Sequence, residues 1–323
     1  MSFLKKMRDL PYLTIDFVKY LTGNDYFRQK QPIGMFFSDG LSYYNDLRGK
    51  ANWFGIMKDG VPQLFFPCTK EFKFFPIMVL QFGLGCFDCF VETSDEKYRF
   101  AISNVENWIF SNINDFGYFD NLFPVIDRSH EYYSANSCMA QGQAISFLVR
   151  ILRGNLTSRP EEVKSLVHII KNNMIKSVTE NGTMINIESG PAFLECCTKN
   201  TYLVFNGWVF AIFGLFDFYF LFKDDSIERL IDKSVKSLIF EYSKVLDSSG
   251  WSKYDNSGRM ASPFYHELHL HLLMALLKLY KGDGINEVLE SNLKAFTIKN
   301  RIKQILIKIY DKLFDNVDYM TNG

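Results

Sequence analysis

Three of the five histidines in this sequence lie within six residues, in a segment that opens with a serine and a proline. Ser262 and Pro263 are typical of a helix start, where serine caps the first turn and proline needs no hydrogen-bond donor. A helix that begins there places Tyr265 and His269 on one face, one turn apart, with His266 beside them. The N-terminus of a helix favours anions, so this segment could bind a carboxylate or stabilise a phenolate at Tyr265.

A metal site is the alternative interpretation of the histidines. His271 lies five residues after His266, well round the helix, and the spacing is not the H-E-x-x-H pattern of metalloproteases. Cys86 and Cys89 form a C-x-x-C pair, but no second pair follows at zinc spacing, and buried thiols are the default for such cysteines. We therefore expect neither a metal nor a cofactor. A further alternative is that the histidines only cap the helix and line a core.

A second group that could do chemistry is Glu195, which stands between Leu194 and Cys196. A carboxyl group among apolar neighbours can have a raised pKa and serve as a general acid or base. Cys196 is itself a candidate acid or base, because a thiol has a pKa of roughly 8.5 and can donate and accept protons. The alternative is an exposed loop glutamate.

A third group consists of two glutamines, Gln141 and Gln143, near a predicted helix start at Ser137. Neutral amides suit hydrogen bonding to sugar hydroxyls. Buried structural amides are the alternative.

The elements that must position these residues are mostly helices. The pattern predicts a helix from Ser137 to Gly154, and another capped by Ser158 with Pro160 in its first turn. Residues 202–222 are nearly all apolar, which fits either the inner helix of a large helical protein or a membrane span. Polar interruptions in that run favour the inner helix.

Amphipathic helices are predicted on both sides of the apolar run. They cover residues 226–246, 262–280 and a lysine-rich tail from Asn286, and an earlier helix starts at Pro76 and runs to Gly85. The first third is turn-rich, and Asn181-Gly182 marks a tight turn or hairpin. Alternating buried and amphipathic helices predict helical hairpins around a common centre.

Composition narrows the class of partner. Lys+Arg and Asp+Glu both number 36, so the formal charge is zero and no nucleic-acid partner is expected. Aromatics make up 16% of the chain, enough for a large core and for stacking on sugar rings. The opening, residues 3–21, is amphipathic and carries no secretory signal. We therefore expect a cytoplasmic protein, with a membrane-surface contact through that opening as a weaker option.

Several of these segments resemble the catalytic domain of glucuronyl C5-epimerases. The matching runs are M-A-Q-G-Q-A-I-S at 139–146 with L-V-R at 148–150, N-G at 206–207 with G-L-F-D at 214–217, Y-D at 254–255, and S-P-F-Y-H-E-L-H at 262–269. Weaker matches are Y-Y-N-D at 43–46, G-V-P at 60–62, and P-I and Q-F-G-L at 76–77 and 81–84.

The resemblance implies a mainly α fold, an (α/α) barrel or toroid of helical hairpins with a small β-containing N-terminal part. Residues 1–95 would form that N-terminal region, packed on a catalytic barrel of residues 96–323. The animal members' β-rich domain is absent here. The implied partner is an acidic polysaccharide or glycan that contains glucuronate, and a homodimer stays open.

The resemblance also implies a reaction at C5 of glucuronate, where one group removes the hydrogen and another returns a proton to the opposite face. The implied catalytic residues are Glu195, Tyr254 and Tyr265, with Arg259 as a clamp for the carboxylate. The implied substrate-binding residues are Tyr44, Asp46, Gln81, Gln141, Gln143, Asn206, Arg259, His266 and His269.

Cys196 departs from the family, which has tyrosine directly after the glutamate, and Phe82 also replaces a tyrosine. The thiol could fill space while another tyrosine acts, could take over an acid/base role, or could mark a chain that no longer epimerises. Two further functions therefore stay open: a polysaccharide lyase, which expels the neighbouring sugar oxygen from the same carbanion, and a glycan-binding protein without catalysis.

Overall fold

The structure, a computed structural model, describes residues 26–66, 68–126 and 130–314. The predicted amphipathic opening at residues 3–21 lies outside the described residues. The helices, in chain order, are α1 (Phe36–Asp39), α2 (Pro76–Thr93), α3 (Glu96–Asn112), α4 (Phe123–Ile126), α5 (Cys138–Arg153), α6 (Pro160–Met174), α7 (Phe205–Phe222), α8 (Asp225–Lys244), α9 (Pro263–Leu279), α10 (Ile285–Ala295) and α11 (Ile298–Phe314).

Short antiparallel hairpins accompany the helices. The strands pair as β1 (Met57–Lys58) with β2 (Val61–Pro62), β3 (Leu64–Phe66) with β4 (Glu71–Lys73), and β5 (Met184–Ile187) with β6 (Gly190–Phe193). The first two hairpins lie in the predicted β-containing N-terminal part. The third turns after Ile187, so Asn181, in the left-handed conformation, precedes this hairpin and does not form its turn.

Local signals account for most helix boundaries. Ser137 Oγ accepts a hydrogen bond from Ala140 N at the start of α5, and Ser262 Oγ accepts one from Tyr265 N at the start of α9. The predicted starts of both helices are confirmed. Arg159, not Ser158, occupies the position before α6.

The end predicted for α2 at Gly85 was wrong, because the helix continues to Thr93. A Cβ at Gly85 would collide with the carbonyl oxygen of Leu47. This glycine therefore permits a close approach inside the helix and does not end it.

The long helices pair as hairpins, α2 with α3, α5 with α6, α7 with α8, and α9 with α10. The first helix of each pair also packs on the next such helix, giving the series α2, α5, α7, α9. The mainly α fold built of helical hairpins is therefore confirmed. Because α2 lies before residue 95 and packs on α5, the core continues across the predicted domain boundary, which stays a prediction.

The four inner helices α2, α5, α7 and α9 run in the same direction. Gly83 of α2 lies against Phe147 of α5, and Phe87 of α2 lies near Gly154, just beyond the end of α5. Between α5 and α7, Cys138 bonds Gly207 near the start of both helices, and Arg150 bonds Asp217 near the end of both. From α7 to α9, the ring of Phe205 at the start of α7 contacts that of His269 in the second turn of α9. Consequently the N-terminal ends of all four helices lie at one end of the molecule.

α2 and α7 are the two described helices long and apolar enough to cross a membrane, and 78% of each lies buried inside the protein. In α7 every residue from Phe205 to Phe218 is buried. Burial on all sides explains why α7 is apolar all round, as expected of an inner helix.

Candidate active site

The candidate site lies where the chain enters α7 and α9. Glu195 follows β6, ahead of α7, and its segment is joined to the start of α5 by a bond from Cys138 N to Leu194 O of 3.0 Å. Tyr254 lies in the loop before α9, and Tyr265 lies in the first turn of that helix. The inner helices thus bring these three predicted residues to the same end of the molecule.

Glu195 is 8% exposed and accepts a hydrogen bond of 3.4 Å from Asn206 Nδ2. Burial raises the pKa of Glu195 to about 7, although the positive charge of Arg259 and the bond from Asn206 act in the opposite direction. A carboxyl group that titrates near neutral pH can exchange a proton in both directions under physiological conditions.

Gly207, in the first turn of α7, lets the carboxylate approach the helix. A Cβ at this position would lie 2.7 Å from Glu195 Cβ and closer still to Oε2. The glycine therefore provides the space that Glu195 occupies. The sequence signal for this close approach is the N-G pair at 206–207.

The loop that carries Tyr254 is fixed by internal bonds. Asp255 is fully buried, and its Oδ1 accepts from Ser257 N at 2.9 Å while its Oδ2 accepts from Arg259 Nε at 2.9 Å. Gly258 has a φ of 98°, which a residue with a side chain rarely adopts. The loop therefore presents Tyr254 in a defined position.

Asn256 joins this loop to the chain that leads into α7. Its Oδ1 accepts from Leu203 N at 2.9 Å, and its Nδ2 donates to Thr201 O at 3.2 Å. The Tyr254 loop and the Glu195 segment are thereby held together. Sequence reasoning missed Asn256, since nothing local indicates which backbone an exposed asparagine will bind.

The rings of Tyr254 and Tyr265 meet edge to face with centroids 4.7 Å apart, and both residues are half-buried. Burial raises the pKa of Tyr254 well above 10.0, and the negative charges of Tyr265 and Glu195 raise it further. The charge of Glu195 therefore acts on the phenol of Tyr254. At neutral pH the phenol of Tyr254 is a proton donor.

Arg259 lies beside the tyrosines, with its guanidinium 5.3 Å from the ring centre of Tyr254 and 5.9 Å from that of Tyr202. Tyr202 OH lies 3.2 Å from His130 Nε2. Half-buried Tyr202 and His130 thus continue the polar, aromatic surface away from Tyr254. Both were missed in the sequence, because neither belongs to a recognisable motif.

Cys196 is 9% exposed and lies next to Glu195 among other thiols. Its negative charge contributes to the raised pKa of Tyr254, after burial and the larger effects of Tyr265 and Glu195. Cys138 Sγ donates to Gly207 O at 3.4 Å, and Cys197 Sγ donates to Gly182 O at 3.6 Å. The thiol that replaces the family's tyrosine is therefore in the site, close to both Glu195 and Tyr254.

Tyr44 and Asp46 lie elsewhere, which corrects the expectation that they line the site. Tyr44 is fully buried and donates a hydrogen bond of 2.6 Å to Asp217 near the C-terminal end of α7. That position is about 16 Å along the helix from Asn206. Asp46 pairs with Arg48 at 2.7 Å, beside an open cleft lined by Glu92 at the C-terminal end of α2.

The glutamines of α5 are core residues, which corrects their assignment to substrate binding. Gln141 is fully buried, and its Nε2 donates to Asn136 at 3.0 Å and to Asn173 at 2.6 Å. Gln143 is also fully buried. Gln81, on α2, is 8% exposed, and its role stays a prediction.

His266 and His269 of α9 are also core residues. His266 is fully buried, stacks on Trp251 at 4.0 Å, and accepts a hydrogen bond from Ser252 N at Nδ1. Its Nε2 lies 3.1 Å from Asn292 O, so that nitrogen carries the proton. His269 is 2% exposed, with Nδ1 3.1 Å from Ser252 Oγ.

Burial lowers the pKa of His266 to about 4 and that of His269 to about 3, so both are neutral at physiological pH. Side chains with these partners hold the segment before α9 in place, which does not fit the predicted role of substrate binding. Among the described residues, no three His, Cys, Asp or Glu side chains are grouped to hold a metal ion.

A family model described as D-glucuronyl C5-epimerase C-terminus matches residues 127–294, just over half of the chain. No curated protein matches the chain. Among solved structures, the chain is similar to unsaturated glucuronyl hydrolase from Streptococcus agalactiae, at 12% identity and a TM-score of 0.44, over 68% of this chain and 56% of that one.

Two further solved structures are similar over the same share of this chain. They are unsaturated glucuronyl hydrolase from Bacillus sp. GL1, at 9% identity with a TM-score of 0.42 and 60% of that chain covered, and a family 105 glycoside hydrolase from C. acetobutylicum, at 14% with a TM-score of 0.42 and 62% covered. The chain thus spans less than two thirds of the length of each of these three proteins.

Proposed function

Because this chain belongs to the D-glucuronyl C5-epimerase C-terminal family, we propose that it inverts C5 of D-glucuronate residues in a glycan, giving L-iduronate. Membership of the family supports the broader part of the proposal, a carbohydrate enzyme that processes glucuronate. The observation that carries the proposal of epimerisation is the pairing of a carboxyl group of pKa about 7, Glu195, with a nearby phenol of raised pKa, Tyr254.

Glu195 suits the role of the base that removes the C5 proton. In its ionised form the carboxylate accepts the proton from C5, and the electron pair left on C5 delocalises into the uronate carboxylate. A base with a pKa near the working pH combines a large ionised fraction with useful basicity.

Tyr254 suits the role of the acid on the opposite face. Its phenol donates a proton to C5 as the electron pair returns, so the configuration inverts and the number of protons on the sugar is unchanged. Exchange with solvent then removes the proton from Glu195 and restores the one on Tyr254. Tyr265 supports this step by fixing the Tyr254 ring through their edge-to-face contact.

The developing charge on the uronate carboxylate needs compensation, since the C5 hydrogen is very weakly acidic. Arg259 suits this role, because its hydrogen bonds to Asp255, among the described residues, use Nε and Nη2 and leave Nη1 for a ligand. The N-terminus of α9 adds a partial positive charge at the same end of the molecule.

Glycan incubated with the protein in deuterated water tests the proposal. We expect deuterium at C5 together with iduronate, and neither with Glu195→Gln, which keeps the shape of the side chain and removes the base. An unsaturated product that absorbs in the ultraviolet would indicate a lyase instead. Glycan binding without deuterium uptake, across a panel of glucuronate polymers, would indicate a binding protein and contradict the proposal.

A further inference from the structure

Helix α11 presents an apolar stripe to solvent. Ile298, Ile302, Leu306 and Tyr310 recur every four residues and are 76%, 54%, 60% and 61% exposed. Residues at this spacing form one continuous strip along a helix. Leu293, on α10, is also exposed and lies just before the stripe in the chain.

The polar side of α11 faces the protein. Gln304 is 1% exposed, and Asn300 Nδ2 donates to Ala295 O at 2.8 Å. Ile305 and Ile307 are half-buried. An amphipathic helix on a globular protein normally turns its apolar side to the core. In α11 the most apolar strip points away from it, which indicates that something other than the described chain covers the strip.

The charge of α11 identifies the chemistry of that partner. The helix contains five cationic residues and one acidic residue, a net charge of +4, in a chain whose net charge is zero. Lys299 and Lys303 follow one edge of the stripe, and Arg301 lies toward the other edge. A second copy of the same helix would bring like charges together, so self-association through this face is disfavoured.

We propose that α11 lies on an anionic lipid surface, with its apolar stripe among the acyl chains and its cations at the headgroups. A basic helix with an exposed apolar face has the composition of interfacial helices. Anionic lipids of the cytoplasmic leaflet attract such cations. This site is independent of Glu195 and of the proposed reaction.

Vesicle co-sedimentation of the full chain tests the proposal, using phosphatidylcholine with and without phosphatidylglycerol. We expect binding to the anionic vesicles that weakens as salt is raised, because headgroup attraction is screened. Two double variants should each reduce binding on the order of tenfold or more, Ile302→Asp with Leu306→Asp and Lys299→Glu with Lys303→Glu.

Matched controls are Phe100→Asp and Lys233→Glu, which change an exposed aromatic and an exposed lysine on other helices. Both should bind as the parent does, and thermal melting should show that all variants are folded. Two results would overturn the proposal. One is that the full chain does not bind anionic vesicles, which would follow if another part of the chain covers the stripe. The other is a dimer in sedimentation equilibrium that dissociates with Leu306→Asp.

Discussion

Gly207 lies directly against the carboxylate side chain of Glu195, so the first turn of α7 and the candidate base occupy adjoining space. A methyl group on this residue would come within 2.7 Å of Glu195 Cβ. The position of the carboxylate therefore depends on a residue with no functional group.

We expect Gly207→Ala to displace Glu195 and to reduce kcat/KM on the order of a hundredfold, since small misplacements of a reacting group are costly. Gly214→Ala is the matched control on the same helix. Its methyl group would lie 2.6 Å from the backbone atom Gly142 Cα. Because backbone gives way less easily than a side chain, Gly214→Ala should lower the melting temperature more than Gly207→Ala does. Unchanged kcat/KM in Gly207→Ala would contradict the role given to Glu195.

Replacing the tyrosines by phenylalanine separates their roles. Tyr254→Phe should lower deuterium uptake at C5 on the order of a hundredfold or more, because the proton donor is lost. Tyr265→Phe keeps the ring contact and should have a smaller effect. Exposed Tyr133→Phe serves as the control. The assignment fails if Tyr254→Phe turns over substrate at the parent rate.

Asn206 should set the pH at which the enzyme becomes active. Its hydrogen bond lowers the pKa of Glu195, so Asn206→Leu should raise that pKa. The base must be ionised, so kcat/KM should rise with pH through about 7 in the parent and at higher pH in the variant. Exposed Asn200→Leu should leave the profile in place. A shift of the acidic limb of the kcat/KM profile to lower pH in Asn206→Leu would contradict this role of Asn206.

Glu195 should make the fold less stable as pH rises. Its pKa in the folded protein is above its usual value of 4.5, so the folded state binds the extra proton between the two values and loses stability from pH 4.5 to about 7. The full difference is about 3 kcal/mol. Glu195→Gln should therefore match the parent near pH 4 and be more stable at pH 8, as measured by urea unfolding. Equal stability at both values would mean that the carboxyl group is not desolvated.

Cys196 can be assigned with two variants. If the thiol only fills space, Cys196→Ser should keep near-normal deuterium uptake, whereas loss of uptake with partial recovery in Cys196→Tyr would identify the thiol as an acid or base. We expect the first outcome, because Glu195 already supplies the base of the proposed reaction and Tyr254 the acid. Cys68→Ser, at an exposed thiol, is the control.

Sequence signals predicted features that depend on near neighbours in the chain. Ser137 and Ser262 cap their own helices, so the caps were visible as local patterns. His266 was misassigned for the opposite reason. Its partners Asn292 and Trp251 come from distant parts of the chain, and only the folded structure shows that they enclose it.

The same limit applied to the site. Glu195, Tyr254 and Tyr265 lie at one end of the helices, since each lies in the segment that leads into an inner helix or in its first turn. Tyr44 belonged to a weaker motif of the same family, yet it lies at the other end, bound to Asp217. Chain order alone does not reveal which end of a bundle a loop reaches.

The close contact between Gly142 of α5 and Gly214 of α7 has a consequence for motion. Backbones that approach this closely leave the two helices no room to slide past each other, so Glu195 moves with α5 and α7 as one rigid body. Between α7 and α9, by contrast, a small apolar cavity lies beside His269. We therefore expect α9 and the Tyr254 loop to move when a polymer chain enters. This movement would break the hydrogen bonds that Asn256 makes with Leu203 and Thr201.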